Sequence, residues 1–305
     1  RKKNKLSFMK TDFLLFTLEY PPQKGGVANY YENLVNRWPE ANMFVLAPVA
    51  ENTSRESSHI QRKKLLASKI RPRWLPCFWH LWRAIRHNDI DHVLVGQLLP
   101  LGTVTYYLAK LLKIRYTVFL HGMDLNFAFR SRRKGYISRK ILRSADAIIC
   151  SNSYVLELAE EKAGGGIRKK GKVVNPGIPA TPPYAVNFQK KEELKKELGL
   201  ADKFVILTLG RLVKRKGVDK VIEALSRMEG RQDMVYVVAG TGPEENYLKQ
   251  IKENSPYKDQ IKFTGSISEE EKWNLLDLCD ILVMPAREID GDFEGFGIVY
   301  LEANQ

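Results

Sequence analysis

The chain has 305 residues, 44% of them hydrophobic and 10% aromatic, which suggests two domains with sizeable cores and excludes a chain disordered throughout. The formal net charge is +14 and unevenly spread: residues 1–185 hold 31 Lys and Arg against 13 Asp and Glu, and residues 186–305 hold 18 against 22. The first half therefore meets or tolerates something anionic: nucleic acid, an anionic membrane surface or a phosphorylated substrate, with a merely solubilising basic surface as the plain alternative.

Arg1, Lys2, Lys3 and Lys5 ahead of Phe13-Leu14-Leu15-Phe16 faintly resemble a secretory leader. The apolar run is too short, has no small-residue cleavage site and is followed by Glu19, so it reads as a first strand. In chain order, Phe13–Leu18, Met43–Pro48, His92–Val95, Tyr116–Leu120 and Ala147–Cys150 read as buried strands. Helical spacing falls between and after them, over Asn29–Arg37, Trp79–His87, Thr103–Lys113, Tyr136–Arg143 and Ser153–Glu161. Gly164-Gly165-Gly166 and Pro176, Pro179, Pro182 and Pro183 then break the pattern. A helix over Lys190–Leu198 follows. The alternation resumes with strands Phe204–Leu209, Met234–Ala239, Ile261–Thr264 and Ile281–Met284 and helices Val218–Met228, Glu244–Glu253 and Glu269–Leu278. Apolar strands separated by helices predict parallel sheets covered on both faces. The expected fold is α/β, with two Rossmann-like doubly wound domains, 1–180 and 181–305, facing a cleft. Ligands would bind at the carboxyl ends of the strands. No stretch approaches the 18 apolar residues of a membrane span. Cys77, Cys150 and Cys279 are odd in number and far apart. They suit neither a metal nor a disulfide framework and point to a reducing cytoplasm.

The candidate ligand residues sit at predicted strand ends. Arg211 follows strand Phe204–Leu209, and Lys216-Gly217 lies five residues on. A planar guanidinium and a point-charge ammonium there suit phosphate oxygens, and the alternative is a plain basic turn at Lys214-Arg215-Lys216. After the strand that begins at Ile281, Glu294-Gly295-Phe296-Gly297 leads into a helix that carries Glu302. Glycine-rich backbone at a helix start makes a nest of N–H groups for phosphate, and the flanking carboxylates suit hydroxyls on either side. A sugar nucleotide has that layout. A glycosidase using Glu294 and Glu302 as paired carboxylates fits less well. On one helix they would be roughly 12 Å apart, against about 5 Å for a retaining enzyme, unless the glycines leave Glu294 in a loop.

Gly25 and Gly26, in the turn after the first strand, would let backbone approach a ligand. His121, before Gly122 at a strand's carboxyl end, is a candidate for the cleft. Gly240-Thr241-Gly242-Pro243 lacks the third glycine of a dinucleotide fingerprint and reads as a structural turn, so an NAD enzyme is disfavoured. Two basic stretches could meet an anionic bilayer. One is Arg73–Arg83, with Trp74, Trp79 and Trp82; the other is Arg130–Arg143. The plain alternatives are a helix packing its aromatics on the sheet and a solvated face.

Together these residues resemble the family 4 glycosyltransferases of the GT-B fold, over nearly the whole chain and in the same order. The shared pieces are the Gly25-Gly26 loop, His121-Gly122, Ser151-Asn152-Ser153, Asn175-Pro176-Gly177, Gly210-Arg211 with Lys216-Gly217, and Glu294 with Glu302. The stretch from Met284 to Ala303 looks most like bacterial mannosyltransferases that act on phosphatidylinositol or related lipids. The resemblance implies a retaining, metal-independent transfer without a cofactor. The substrates would be a nucleotide-diphospho-sugar donor, GDP-mannose favoured and UDP-sugars next, and a lipid or saccharide acceptor on the N-terminal domain. It implies that Arg211 and Lys216 hold the diphosphate, that Phe296 and Gly297 give it backbone N–H groups, and that Glu302 takes the ribose. It further implies that Glu294 takes the donor sugar, that His121 lies by that sugar, and that Gly25 and Gly26 line the cleft. In the family the chain runs on through more strands and a last helix, so the second domain is expected to be incomplete at Gln305. The first residue being Arg, both ends read as cut. The expected place is the cytoplasm, peripheral on the inner membrane face, with no nucleic-acid partner. The alternative class is a non-catalytic polyanion- or membrane-binding protein.

Overall fold

The structure, a computed structural model, describes residues 12–23, 25–38, 43–50, 59–69, 71–178, 187–228 and 233–305. The basic residues ahead of the first strand, Lys24 of the glycine loop, and Pro179, Pro182 and Pro183 lie outside the described residues. The chain divides into two compact units after Gly177.

The first unit is a seven-stranded sheet in the order β3-β2-β1-β4-β5-β6-β7. Its strands are β1 (Phe13–Phe16), β2 (Met43–Pro48), β3 (Ile60–Lys63), β4 (His92–Val95), β5 (Arg115–Leu120), β6 (Ala147–Cys150) and β7 (Gly171–Val173). Every pairing is parallel, with Phe13 of β1 registered against Met43 and His92 on its two neighbours. Both faces are covered by helices α1 (Gly26–Asn36), α2 (Pro76–His87), α3 (Leu101–Leu112), α4 (Met123–Phe129), α5 (Arg132–Ser144) and α6 (Ser153–Ala163), which connect the strands. The alternation of side chains along a strand decides which layer each residue joins. Leu15, Val45, Ala47, Leu94 and Phe119 point to one face and bury Tyr30 and Tyr31 of α1.

The second unit holds α7 (Phe188–Glu197), α8 (Val218–Leu225), α9 (Glu245–Glu253), α10 (Glu269–Leu278) and α11 (Ile298–Ala303). They surround strands β8 (Phe204–Leu209), β9 (Met234–Ala239), β10 (Ile261–Gly265) and β11 (Ile281–Leu282). The strand order is β10-β9-β8-β11, again parallel throughout. Ile206, Tyr236 and Val238 face α8 and α9, whereas Val205, Leu207, Val235 and Val237 face the layer that contains Trp273 and Leu276 of α10. Sequence order reverses between β8 and β11, the kind of place where open α/β sheets bind ligands.

Two expectations need correction. The α2 helix turns Cys77, Leu81, Ala84 and Ile85 inward, not its tryptophans. Trp79 is 57% exposed and stacks on Trp82, with ring centroids 5.2 Å apart. The second basic stretch is only partly a solvated face. Arg139 Nε donates to the Lys162 carbonyl and Arg143 Nη2 to the Ala163 carbonyl, at the carboxyl end of α6, where cations oppose the helix dipole. No helix among the described residues is long and apolar enough to cross a membrane.

Candidate functional site

In the second unit, β8 and β9 end in loops that continue the sheet's hydrogen bonding. The Gly210 N–H donates to the Ala239 carbonyl, Leu212 N–H to Thr241, and Gly240 N–H to Gly265, at 2.9 Å each. This stitched loop carries Arg211, then a single 3₁₀ turn over Lys214–Lys216 closed by Gly217. Arg211 is exposed, and its guanidinium has no hydrogen bond or ion pair among the described residues.

Lys216 is sunk beside the loop that follows β11. Its Nζ lies 2.7 Å from Glu294 Oε2, with the lysine side chain 12% exposed. Burial pulls the ammonium below the usual lysine range, and the nearby Glu294 charge opposes that pull. Arg215 reaches the same carboxylate: Nη1 is 2.7 Å from Glu294 Oε2 and Nε is 2.8 Å from Asp292 Oδ1. Its backbone carbonyl accepts from the Arg287 N–H at 2.8 Å, and Arg287 pairs with Asp219 of α8 at 2.7 Å. The loop from Pro285 to Glu294 is thus fastened to the loop after β8 by side chains and backbone together.

Glu294 stands in this loop, not on a helix, so helical rise does not set its distance from Glu302. Gly297 adopts a left-handed φ of +78° and caps α11. A side chain there would run into the Tyr300 ring, 2.7 Å from its Cδ2. Tyr300 in turn donates its hydroxyl to the Met284 carbonyl. The N–H groups of Phe296 and Gly297 have no acceptor among the described residues. Glu302, in the last turn of α11, is 2.9 Å from Lys272 Nζ, which also pairs with Glu269 at 2.7 Å. Burial alone would lower the Lys272 pKa, but bonds to Glu269 and Glu302 outweigh it and hold it above the ordinary value.

So the structure brings Lys216 and Glu294 into contact, sets Arg211 on the same loop as Lys216, and ties Glu302 to an unforeseen partner. Sequence reasoning passed over Arg215, Asp292 and Lys272. The one available signal was the match between the basic triplet 214–216 and the acids at 288, 290, 292 and 294.

In the first unit, Gly25 and Gly26 lie exposed at the start of α1, where the Gly25 carbonyl accepts from Asn29. His121 follows β5. Tyr31 Oη donates to the Gly96 carbonyl at 2.6 Å and lies 2.8 Å from His121 Nε2. That hydroxyl has only one proton, so Nε2 must supply the proton of the second bond, which fixes the tautomer. Burial pushes the His121 pKa down to about 4, so the ring is neutral at pH 7. Asp124 sits beneath it, with Oδ1 accepting from the His121 and Gly122 N–H groups and Oδ2 buried without a partner. Burial pushes its pKa up to about 6.

These two groups act in opposite directions on stability. As pH falls from 6.5 towards 4, the unfolded chain takes a proton that buried His121 refuses, and stability drops. As pH falls from 6 towards 3.8, folded Asp124 takes its proton before the unfolded chain does, and stability rises. Asp124→Asn is therefore expected to lose about 2–3 kcal/mol more than the wild type between pH 7 and pH 4. Denaturant midpoints at pH 7, 5 and 4 measure this; parallel curves would show that the pair does not titrate as described.

The profile described as "Glycosyltransferase Family 4" matches residues 24–181, and "Glycosyl transferases group 1" matches residues 190–305. A GDP-mannose-dependent monoacylated alpha-(1-6)-phosphatidylinositol monomannoside mannosyltransferase of Corynebacterium glutamicum is 28% identical over 304 residues, 95% of this chain and 77% of that protein. A GDP-mannose-dependent alpha-(1-6)-phosphatidylinositol monomannoside mannosyltransferase of Mycolicibacterium smegmatis is 26% identical over 302 residues, with the same shares covered. Among solved structures, Anabaena HepE in complex with UDP and glucose superposes with a TM-score of 0.76 at 19% identity, covering 96% of this chain and 78% of that one. WaaG, a glycosyltransferase involved in lipopolysaccharide biosynthesis, does so at 0.68 and 16%, covering 95% and 78%. With both halves matched and the fold shared, the chain belongs to glycosyltransferase family 4 and is a glycosyltransferase of the GT-B fold.

Proposed function

We propose that the chain moves mannose from GDP-mannose to a lipid-linked acceptor, with retention at the anomeric carbon and without a metal or other cofactor. The observation that carries this reading is the joint at the ends of β8 and β11. There Lys216 lies 2.7 Å from Glu294, and Arg211 stands unpaired on the same loop among the described residues. The Glu294 carboxylate meets Lys216 and Arg215 at the switch point of a parallel sheet, and Arg211 stands on the loop that carries both cations. Charge grows on the diphosphate as the sugar departs, and fixed cations aimed at it lower the barrier without a metal. Phe296 and Gly297 add backbone N–H groups, Glu294 takes sugar hydroxyls, and Glu302, steadied by Lys272, takes the ribose. His121, with Gly25 and Gly26, serves the sugar and acceptor side. The choice of GDP-mannose and of a phosphatidylinositol-based acceptor follows the two mannosyltransferase relatives. A UDP-sugar is the second choice, as HepE was solved with UDP and glucose.

The exposed residues from the end of β3 through α2 support a lipid acceptor reached at the inner, cytoplasmic membrane surface. Leu66, Leu75 and Trp79 are 43%, 47% and 57% exposed. Lys63, Lys64, Arg71, Arg73, Arg83 and Arg86 are exposed in the same stretch of chain. Apolar side chains interleaved with cations are what an anionic bilayer binds. The test supplies GDP-mannose and UDP-glucose to the full chain with phosphatidylinositol mannoside in anionic vesicles, in EDTA, and reads the product's anomeric configuration by NMR. An α-linked mannolipid is expected. Inverted product, transfer only with added metal, or nucleotide-independent vesicle binding alone would overturn the reading.

A further inference from the structure

We infer that Glu294 competes with the donor diphosphate for Lys216, and that Arg215 is the positioning residue that allows Lys216 to change partners. The inference rests on the reading of Lys216 as a phosphate ligand. Its grounds are the geometry of one oxygen: Glu294 Oε2 is 2.7 Å from Lys216 Nζ and 2.7 Å from Arg215 Nη1. The three side chains are only 12%, 20% and 21% exposed for Lys216, Arg215 and Glu294, so water does little to neutralise the carboxylate. Lys216 carries a single point charge, and Glu294 is its one ion-pair partner within 4.0 Å among the described residues. To serve a phosphate it must share or give up that partner.

Arg215 is built to stay behind. Its Nε is bound to Asp292, its Nη1 to Glu294, and its carbonyl to the Arg287 N–H. A guanidinium holds both carboxylates at once through donors that diverge in a rigid fork, so Arg215 keeps its place on Asp292 and Glu294 together. When Lys216 turns to phosphate, Arg215 still neutralises Glu294. Without Arg215, Glu294 would be a half-buried carboxylate whose sole ion-pair partner among the described residues is Lys216. Stripping a buried charge of its last partner is strongly unfavourable, so Lys216 would be retained. Arg215 thus governs nucleotide binding through a carboxylate, without touching the nucleotide.

The test measures GDP affinity by calorimetry on the full chain. Arg215→Met is expected to weaken GDP binding about tenfold, and Glu294→Gln alone, which removes the competing charge, to tighten it. The double variant Arg215→Met/Glu294→Gln should return to within about threefold of the wild type, because the competitor is gone. Loop anchoring alone could not be rescued in that way, since the Glu294→Gln change does not restore the Asp292 arm. Asp292→Asn, which takes the charge off that arm and spares the Arg215–Glu294 bond, should bind GDP as the wild type does. A double variant as weak as Arg215→Met, or an Asp292→Asn as weak, would overturn the inference. A wild type that binds neither GDP, UDP nor GDP-mannose would instead sink the donor-site reading beneath it.

Discussion

Arg211→Ala is expected to slow transfer by about 10²–10³-fold, the loss typical of one donor aimed at developing charge, and to leave the melting temperature unchanged. The two halves of that expectation come from one observation. The guanidinium is exposed and unpaired among the described residues, so its removal breaks no bond that holds the fold. Its loop is held instead by backbone, through Gly210 to Ala239 and Leu212 to Thr241, which alanine at 211 does not disturb. An exposed arginine without a role would cost nothing on either measure. Arg211→Lys should recover part of the rate, because it restores charge but not the planar fork. Turnover within about threefold of the wild type in Arg211→Ala would remove this residue from the diphosphate site.

Gly240→Ala is expected to destabilise the second unit by about 3 kcal/mol or more. Gly240 holds φ at +132°. A Cβ built there would overlap the Gly210 carbonyl oxygen and lie 2.9 Å from its carbon. Neither atom is the tip of a flexible side chain. Both belong to the loop that presents Arg211, and the Gly240 N–H is itself committed to the Gly265 carbonyl. Relief therefore requires parting the β8 and β9 loops. Gly265→Ala is the natural control: it also has positive φ, +70°, but open space around a new Cβ. It should cost about 1–2 kcal/mol, the strain of left-handed backbone alone. Chemical denaturation of both variants measures the difference, and equal losses would mean that the approach to Gly210 is not what excludes a side chain.

Much of the architecture could be read from apolar runs, because strands buried on both faces have no polar alternation to hide them. Phe204–Leu209 and Met234–Ala239 were legible to the residue. The elements that escaped are those whose stability is supplied by neighbours. β3 is Ile-Gln-Arg-Lys, an edge strand with little apolar content that exists because Val45 to Pro48 present free backbone to it. β7 begins with a glycine and spans three residues. α4 is seven residues long and is tied to the end of β5 by the Asp124 carboxylate, whose bonds to the His121 and Gly122 N–H groups a sequence does not reveal. In the second unit, Arg211, Lys216, Glu294 and Glu302 stand out in the sequence because their types match the chemistry of phosphates and hydroxyls. Arg215 and Lys272 do not. Each acts on another side chain, Glu294 and Glu302 in turn, from 79 and 30 residues away. No spacing rule spans such gaps.

The tautomer of His121 constrains what can lie against it. Tyr31 spends its only proton on Gly96 and takes one from Nε2, so Nδ1 is left with a lone pair and no hydrogen. A neutral ring in this state can receive a hydrogen bond at Nδ1 but cannot give one. A hydroxyl, which brings its own proton, is accepted there. A carboxylate or a carbonyl oxygen, which arrives as acceptor only, meets lone pair against lone pair. A tyrosine 90 residues away in sequence thereby decides which hydrogen-bonding groups this corner of the first unit can accept.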